Sequence, residues 1–234
     1  MNDLSAAFGL AGRLLLDLDP GLLEIVGLSL RVSLSAVALA TAIGLPLGAA
    51  VALFRFPGRM GVAALLNAFM GLPPVVIGLI VYLMLSRAGP LGVLGLLFTP
   101  QAMIIAQCLL IAPIVAALSA QTVADLNEEY DEQLRSLAAG PGQRLRALLW
   151  DGRYSLLTAV LAGFGRAIAE VGAVMIVGGN INHVTRVMTT AIALETSKGE
   201  LALALGLGLV LIVLALAVNL AALAVRDVAR ARYG

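Results

Sequence analysis

Apolar residues gather into five runs along the chain, roughly 25–53, 61–86, 101–122, 154–178 and 200–225, separated by polar or glycine- and proline-rich stretches. Each run exceeds 20 residues. At about 1.5 Å per residue, a helix of that length crosses a hydrocarbon core of about 30 Å. The pattern therefore predicts an all-α protein with about five transmembrane helices. FRFPGRM, between the first and second runs, reads as a tight basic turn, and RAGPLGVLGLLFTPQ, between the second and third, as a short loop.

The interval 123–153 breaks the pattern. It holds Asp125, Glu128, Glu129, Asp131, Glu132, Arg135, Arg144, Arg146, Asp151 and Arg153, and it must lie in water. Helical stretches are expected at about 125–137 and 143–150, broken by Gly140, Pro141 and Gly142. Two readings stay open: a solvated connector, or a coupling element that fits a groove on a motor protein. The loop's length against its neighbours favours the second.

Composition agrees with the spans. The 234 residues are 61% hydrophobic and 12% charged, with a mean hydropathy of +1.01, more apolar surface than a soluble fold can hide. A net charge of +1 offers no basic surface for nucleic acid. The first twenty residues, with Asp3 ahead of any basic residue and Asp17 and Asp19 near their end, do not look like a cleaved signal peptide. If the 123–153 loop is cytoplasmic, that side carries Arg55, Arg59, Arg135, Arg144, Arg146, Arg153, Arg226, Arg230 and Arg232. The other side carries Arg13, Arg87, Arg186 and Lys198. Cytoplasmic loops retain positive charge, so the N-terminus is expected outside and the C-terminus inside. The corresponding organisation is an extracytoplasmic segment over 1–24, a membrane domain over 25–225 and a cytoplasmic tail over 226–234.

The chemistry is sparse. Lys198, in ETSKGE, is the sole lysine and lacks the glycine-rich turn of a phosphate-binding loop, so ATP hydrolysis within this chain is not expected. One histidine and one cysteine do not make a metal cluster, and neither metal nor cofactor is expected. Cys108 is expected to pack, and His183 to be a solvated loop residue. Within the fourth run, Arg166 and Glu170 stand four residues apart on one helical face and should pair toward the protein interior. They form either a lock between helices or part of a pore lining. Gly163 and Gly172, with neighbouring alanines, let other helices approach closely. Pro73 and Pro74 interrupt the second run and should kink or break it. No internal repeat is visible, and five spans are few for a solute pathway, so a homodimer is the natural assembly.

The segments GLPPVVIGLIVYLMLSRAGPLG, LLFTPQAMIIAQ, AVLAGFGRAIAEVGAVMIVGGNI and TRVMTTAIALETSKGE, in this order and spacing, resemble binding-protein-dependent ABC importer permeases. Within these they resemble the tungstate permease group related to molybdate and sulfate permeases. The resemblance runs from about Ser29 to Ala221 and implies a MetI-like permease core working by alternating access. Two copies would form the pore. A cytoplasmic ABC ATPase dimer would dock on the polar loop, and an extracytoplasmic solute-binding protein would deliver the oxyanion across the inner membrane. In such permeases the loop carries a glutamate, two alanines and a glycine that turns the chain. Glu132 takes the glutamate position and Ala138 the glycine position, while Gln133 and Leu134 replace the alanines. Gly140 and Gly142 are available to supply the turn further on. The implied coupling residues are Glu132, Arg135, Ala138, Ala139, Gly140 and Gly142. Molybdate, sulfate or thiosulfate is the alternative cargo. An ion-coupled carrier or channel using the Arg166 and Glu170 pair is the alternative of a different class.

Overall fold

The computed structural model describes Phe8, Gly9, Gly12 and residues 20–233. Apart from those three positions and 20–24, the expected segment 1–24 lies outside the described residues. Nine α-helices follow in order among these residues: α1 Pro20–Leu53, α2 Arg59–Phe69, α3 Pro74–Leu85, α4 Pro100–Ser136, α5 Pro141–Asp151, α6 Arg153–Ile168, α7 Gly172–Gly178, α8 Met188–Lys198 and α9 Leu201–Tyr233. A single 3₁₀ turn, Gly92–Leu94, sits between α3 and α4. Three helices, α1, α4 and α9, are each long and apolar enough to cross a membrane. The pairs α2 with α3 and α6 with α7 qualify only together, bent by 102° and 58° at their breaks. Five spans result if each bent pair is counted once.

The second run is therefore not one helix. Met70, Gly71, Leu72 and Pro73 separate its halves, Pro73 being extended at φ −66° and ψ 120° and Pro74 opening α3 at its first turn. There a missing amide hydrogen costs nothing, because the first turn has no intrahelical acceptor.

Helix α4 is the central element, packed against α1, α2, α3, α5, α6 and α7. Between helices in lipid the gain comes from close packing rather than from withdrawal from water, so small residues dominate the seams. Ala36 and Ala40 of α1 and Ala102, Ala106 and Ala116 of α4 are fully buried. At Gly48 of α1 the approach is closest: a Cβ there would meet the Ala116 carbonyl oxygen at 2.1 Å. One turn earlier, the Ser119 hydroxyl of α4 donates to the Leu45 carbonyl at 3.1 Å. Met103 and Ile111 of α4 fill the space between spans with Val32 of α1, Val174 and Val177 of α7, and Phe164 of α6. Cys108 is half-buried against the same core.

Outward surfaces differ in kind. Helix α9 exposes Ile212, Val213, Leu216 and Leu220, and α3 exposes Val75, Val76, Leu79, Ile80 and Leu83, as expected of faces toward acyl chains. The exposed face of α6 is instead Ser155, Thr158, Ala162 and Gly165, continued by Ala169 just past its end.

Candidate functional site: the broken fourth span and the polar end

No proline stands at the break between α6 and α7. The helix ends at Ile168 and restarts at Gly172, and backbone groups freed at membrane depth need partners from the protein itself. Two helices and a side chain within the break supply them. The Gln107 amide of α4 donates to the Ala167 carbonyl at 3.0 Å. The Thr189 hydroxyl of α8 donates to the Glu170 carbonyl at 2.9 Å. Glu170 turns its own carboxylate onto α7, where Oε1 accepts the Ala173 amide at 3.0 Å. An acceptor there meets the positive end of the short helix and satisfies an orphan donor.

The other carboxylate oxygen, Oε2, lies 3.3 Å from Arg166 Nη2. The expected pairing is present but lopsided: the Glu170 side chain is 3% exposed and that of Arg166 is 34% exposed. Arg166 reaches the outer face of α6 among the small and hydroxyl-bearing residues named above, while Glu170 is held inside. Ser29 of α1 accepts the Met188 amide at 2.8 Å and so ties the start of α8 to the first span. A cavity of about 10 Å³ lies among Ser29, Ser33, Gln107, Glu170 and Thr189. Gln107 and Thr189 do not figure among the residues singled out from the sequence. The available signal is an amide side chain well inside the apolar run of α4, away from Gln101 and Gln121 at its ends.

Gly163 and Gly172 serve close approach. A Cβ on Gly163 would meet Ile111 Cγ2 of α4 at 2.7 Å, and one on Gly172 would meet Val75 Cγ2 of α3 at 2.8 Å. The second contact brings the two breaks together, because Val75 follows Pro73 and Pro74 at the start of α3.

At the polar end the expected helix, turn and helix are present, with one difference. The stretch 125–136 is not a separate helix; α4 runs without interruption from Pro100 to Ser136. Leu126, Glu128, Glu129, Glu132, Gln133, Leu134 and Arg135 all favour helix, and neither glycine nor proline stands between Pro113, which lies inside α4, and Gly140.

The turn itself corrects a second expectation. Gly140 is extended at φ −68° and ψ 164° as the cap of α5, and Gly142 belongs to that helix, so neither reverses the chain. Ala138 does so, at φ +48°. Its amide bonds the Arg135 carbonyl at 2.9 Å and the Ala139 amide bonds the Leu134 carbonyl at 3.0 Å, the paired bonds of a Schellman helix end. Helix α5 then starts on Pro141, with Gln143 Oε1 accepting the Gly140 amide at 2.9 Å. Asp131 pairs with Arg135 on its own arm at 2.9 Å and joins the two arms through Arg144 at 3.2 Å. Glu132 and Arg135 are exposed on the α4 arm. At the junction with α6, the Arg153 guanidinium lies over the rings of Trp150 and Tyr154, 4.7 and 4.5 Å from their centroids. On the loop before α8, His183 is exposed as expected, but it is not simply solvated: its Nδ1 lies 2.7 Å from Glu24 Oε2 of α1.

The architecture has relatives. The chain is 43% identical over 220 residues to a probable anion ABC transporter permease protein of Haloferax volcanii, covering 91% of this chain and 94% of that one. It is 40% identical over 200 residues to the tungstate uptake system permease protein TupB of Peptoclostridium acidaminophilum, covering 86% and 88%. To the sulfate transport system permease protein CysW of Escherichia coli it is 31% identical over 183 residues, covering 75% and 63%. The match to a family profile runs over residues 44–232. It takes in both broken spans and the polar helix–turn–helix, and by it the chain belongs to the family of binding-protein-dependent transport system inner membrane components.

Proposed function

We propose that this chain is the pore-forming subunit of an ATP-driven tungstate importer, assembled as a homodimer and driven by a separate ABC ATPase dimer. An extracytoplasmic solute-binding protein delivers the anion. The observation that carries the reading is the polar end: α4 leaves the membrane core and continues unbroken to the turn at Ala138. A partner that moves that turn therefore moves a helix that touches most of the others. Glu132, Arg135, Ala138, Ala139, Gly140 and Gly142 lie on or beside this turn and form the docking surface. The excess of arginine at this end supports a cytoplasmic position for it, with the N-terminus outside.

The outer face of α6 supports the pore. Ser155, Thr158, Ala162, Gly165 and Ala169, with Arg166 among them, suit neither acyl chains nor a helix buried by its own protomer. In a dimer this face lines the water-filled path, and Arg166 offers it a positive charge moderated by Glu170. Tungstate is favoured by the TupB relative, which matches along 88% of its own length. Sulfate is the second reading, supported by the CysW relative at lower identity.

Replacing 132–135 with glycine and serine is expected to abolish co-purification with the ATPase while leaving membrane insertion intact; unchanged association would sink the docking role. Calorimetry of the cognate binding protein against tungstate, molybdate and sulfate decides the cargo.

A further inference from the structure

A cavity of about 320 Å³ opens beside the start of α2, between the last turn of α1 and the middle of α4. Its walls are alanines, Ala52, Ala63, Ala117, Ala120 and Ala124, and its polar groups are Arg59, Asn67 and Gln121. Resting on the oxyanion reading above, we infer that this cavity is an exit station where the tetrahedral anion pauses at the cytoplasmic mouth before release.

The first argument is the state of Arg59. Its Nε donates to the Val51 carbonyl at 2.8 Å and its Nη2 to the Ala52 carbonyl at 2.9 Å. These bonds fix the guanidinium against the end of α1 and leave three of its five donors for another acceptor. Among the described residues no carboxylate lies within ion-pair distance of it. A cation held in place in advance recognises an oxyanion at little further cost in side-chain order.

The second argument is charge. Asn67 and Gln121 are neutral amides with N–H donors, and no acid lines the cavity. The larger groove of about 590 Å³ beside the Ala138 turn has Arg55, Arg135 and Arg144, but also Glu128 and Asp131, which would repel a dianion. The third argument is strength. Arg59 already offsets the negative end of α1, so its hold on an anion is weakened, and a station that must release its ion benefits from weak binding.

The test uses the complete transporter, with ATPase and binding protein, in proteoliposomes, and measures tungstate uptake per assembled complex. Arg59→Gln is unsuitable alone because it uncaps α1. Gln121→Glu on α4 and Asn67→Asp on α2 each put a negative charge into the cavity and leave the Arg59 cap in place. Either is expected to lower the maximal rate roughly tenfold with KM unchanged, since KM is set at the binding protein and the loss falls on passage. Gln121→Asn, which keeps a neutral amide, should keep the wild-type rate. Unchanged rates in assembled Gln121→Glu and Asn67→Asp, with normal wild-type uptake, overturn the exit station and leave the importer reading standing. A wild-type complex that moves no oxyanion overturns both.

Discussion

Glu170 performs two tasks, holding Arg166 and capping α7, and substitution separates them. Glu170→Ala removes the acceptor of the Ala173 amide, a lost buried cap that costs about 1–2 kcal/mol. It also leaves Arg166 without its partner. Stranding one member of a fully buried pair costs about 3–5 kcal/mol, but Arg166 is 34% exposed and solvent screens it, so about 1 kcal/mol is expected for the charge. The sum is about 2–3 kcal/mol for Glu170→Ala. Glu170→Gln keeps an oxygen for the Ala173 amide and loses only the charge, about 1 kcal/mol. The assay is equilibrium unfolding by SDS titration in mixed micelles for the wild type, Glu170→Gln, Arg166→Gln and the double variant. The double-mutant cycle should return a coupling near 1 kcal/mol. If Arg166 faced lipid rather than water, leaving it unpaired would approach about 3 kcal/mol and the coupling would rise with it. Two results would refute the reasoning: a coupling of zero, or a Glu170→Gln cost equal to that of Glu170→Ala.

Two further substitutions probe the frame around this site. Gly48→Ala places a methyl group 2.1 Å from the Ala116 carbonyl oxygen; because that atom is backbone, α1 and α4 must separate, and a loss of at least about 2 kcal/mol is expected in the same titration. Ala138→Gly relieves a left-handed residue at φ +48° and is expected to stabilise the turn by about 1 kcal/mol, seen as slower amide exchange at position 138 and at Ala139, whereas no change would mean that the left-handed turn is not populated.

Much of the frame is legible from hydrophobicity alone, because each span must satisfy the same bilayer thickness. The break in the second span is legible too, since Pro73 and Pro74 announce it. The break in the fourth is not. Nothing between Ile168 and Gly172 forbids helix locally, and the chain departs from it because Gln107, Thr189 and the Glu170 side chain offer better partners than the next turn would. Those partners lie 60 residues upstream, 19 downstream and on the break itself, beyond the reach of local pattern. The polar loop misled in the opposite sense: its charges mark the exit from the membrane but not the end of a helix, because the same residues that need water also favour helix. Ala138 shows the limit of motif reading. The family resemblance puts the glycine position at Ala138, and an alanine there gives no local sign of a left-handed turn, whereas the nearby Gly140 and Gly142 do.

The uninterrupted α4 gives the molecule a ruler. Gln107, at the break of the fourth span, and Asp131, at the polar turn, stand 24 residues apart on one helix, about 36 Å at 1.5 Å per residue. Tilting such a rod by about 10° about its midpoint carries each end about 3 Å sideways, in opposite directions, roughly the length of a hydrogen bond. A nudge at Asp131 is thus of the size needed to lift the Gln107 amide off the Ala167 carbonyl.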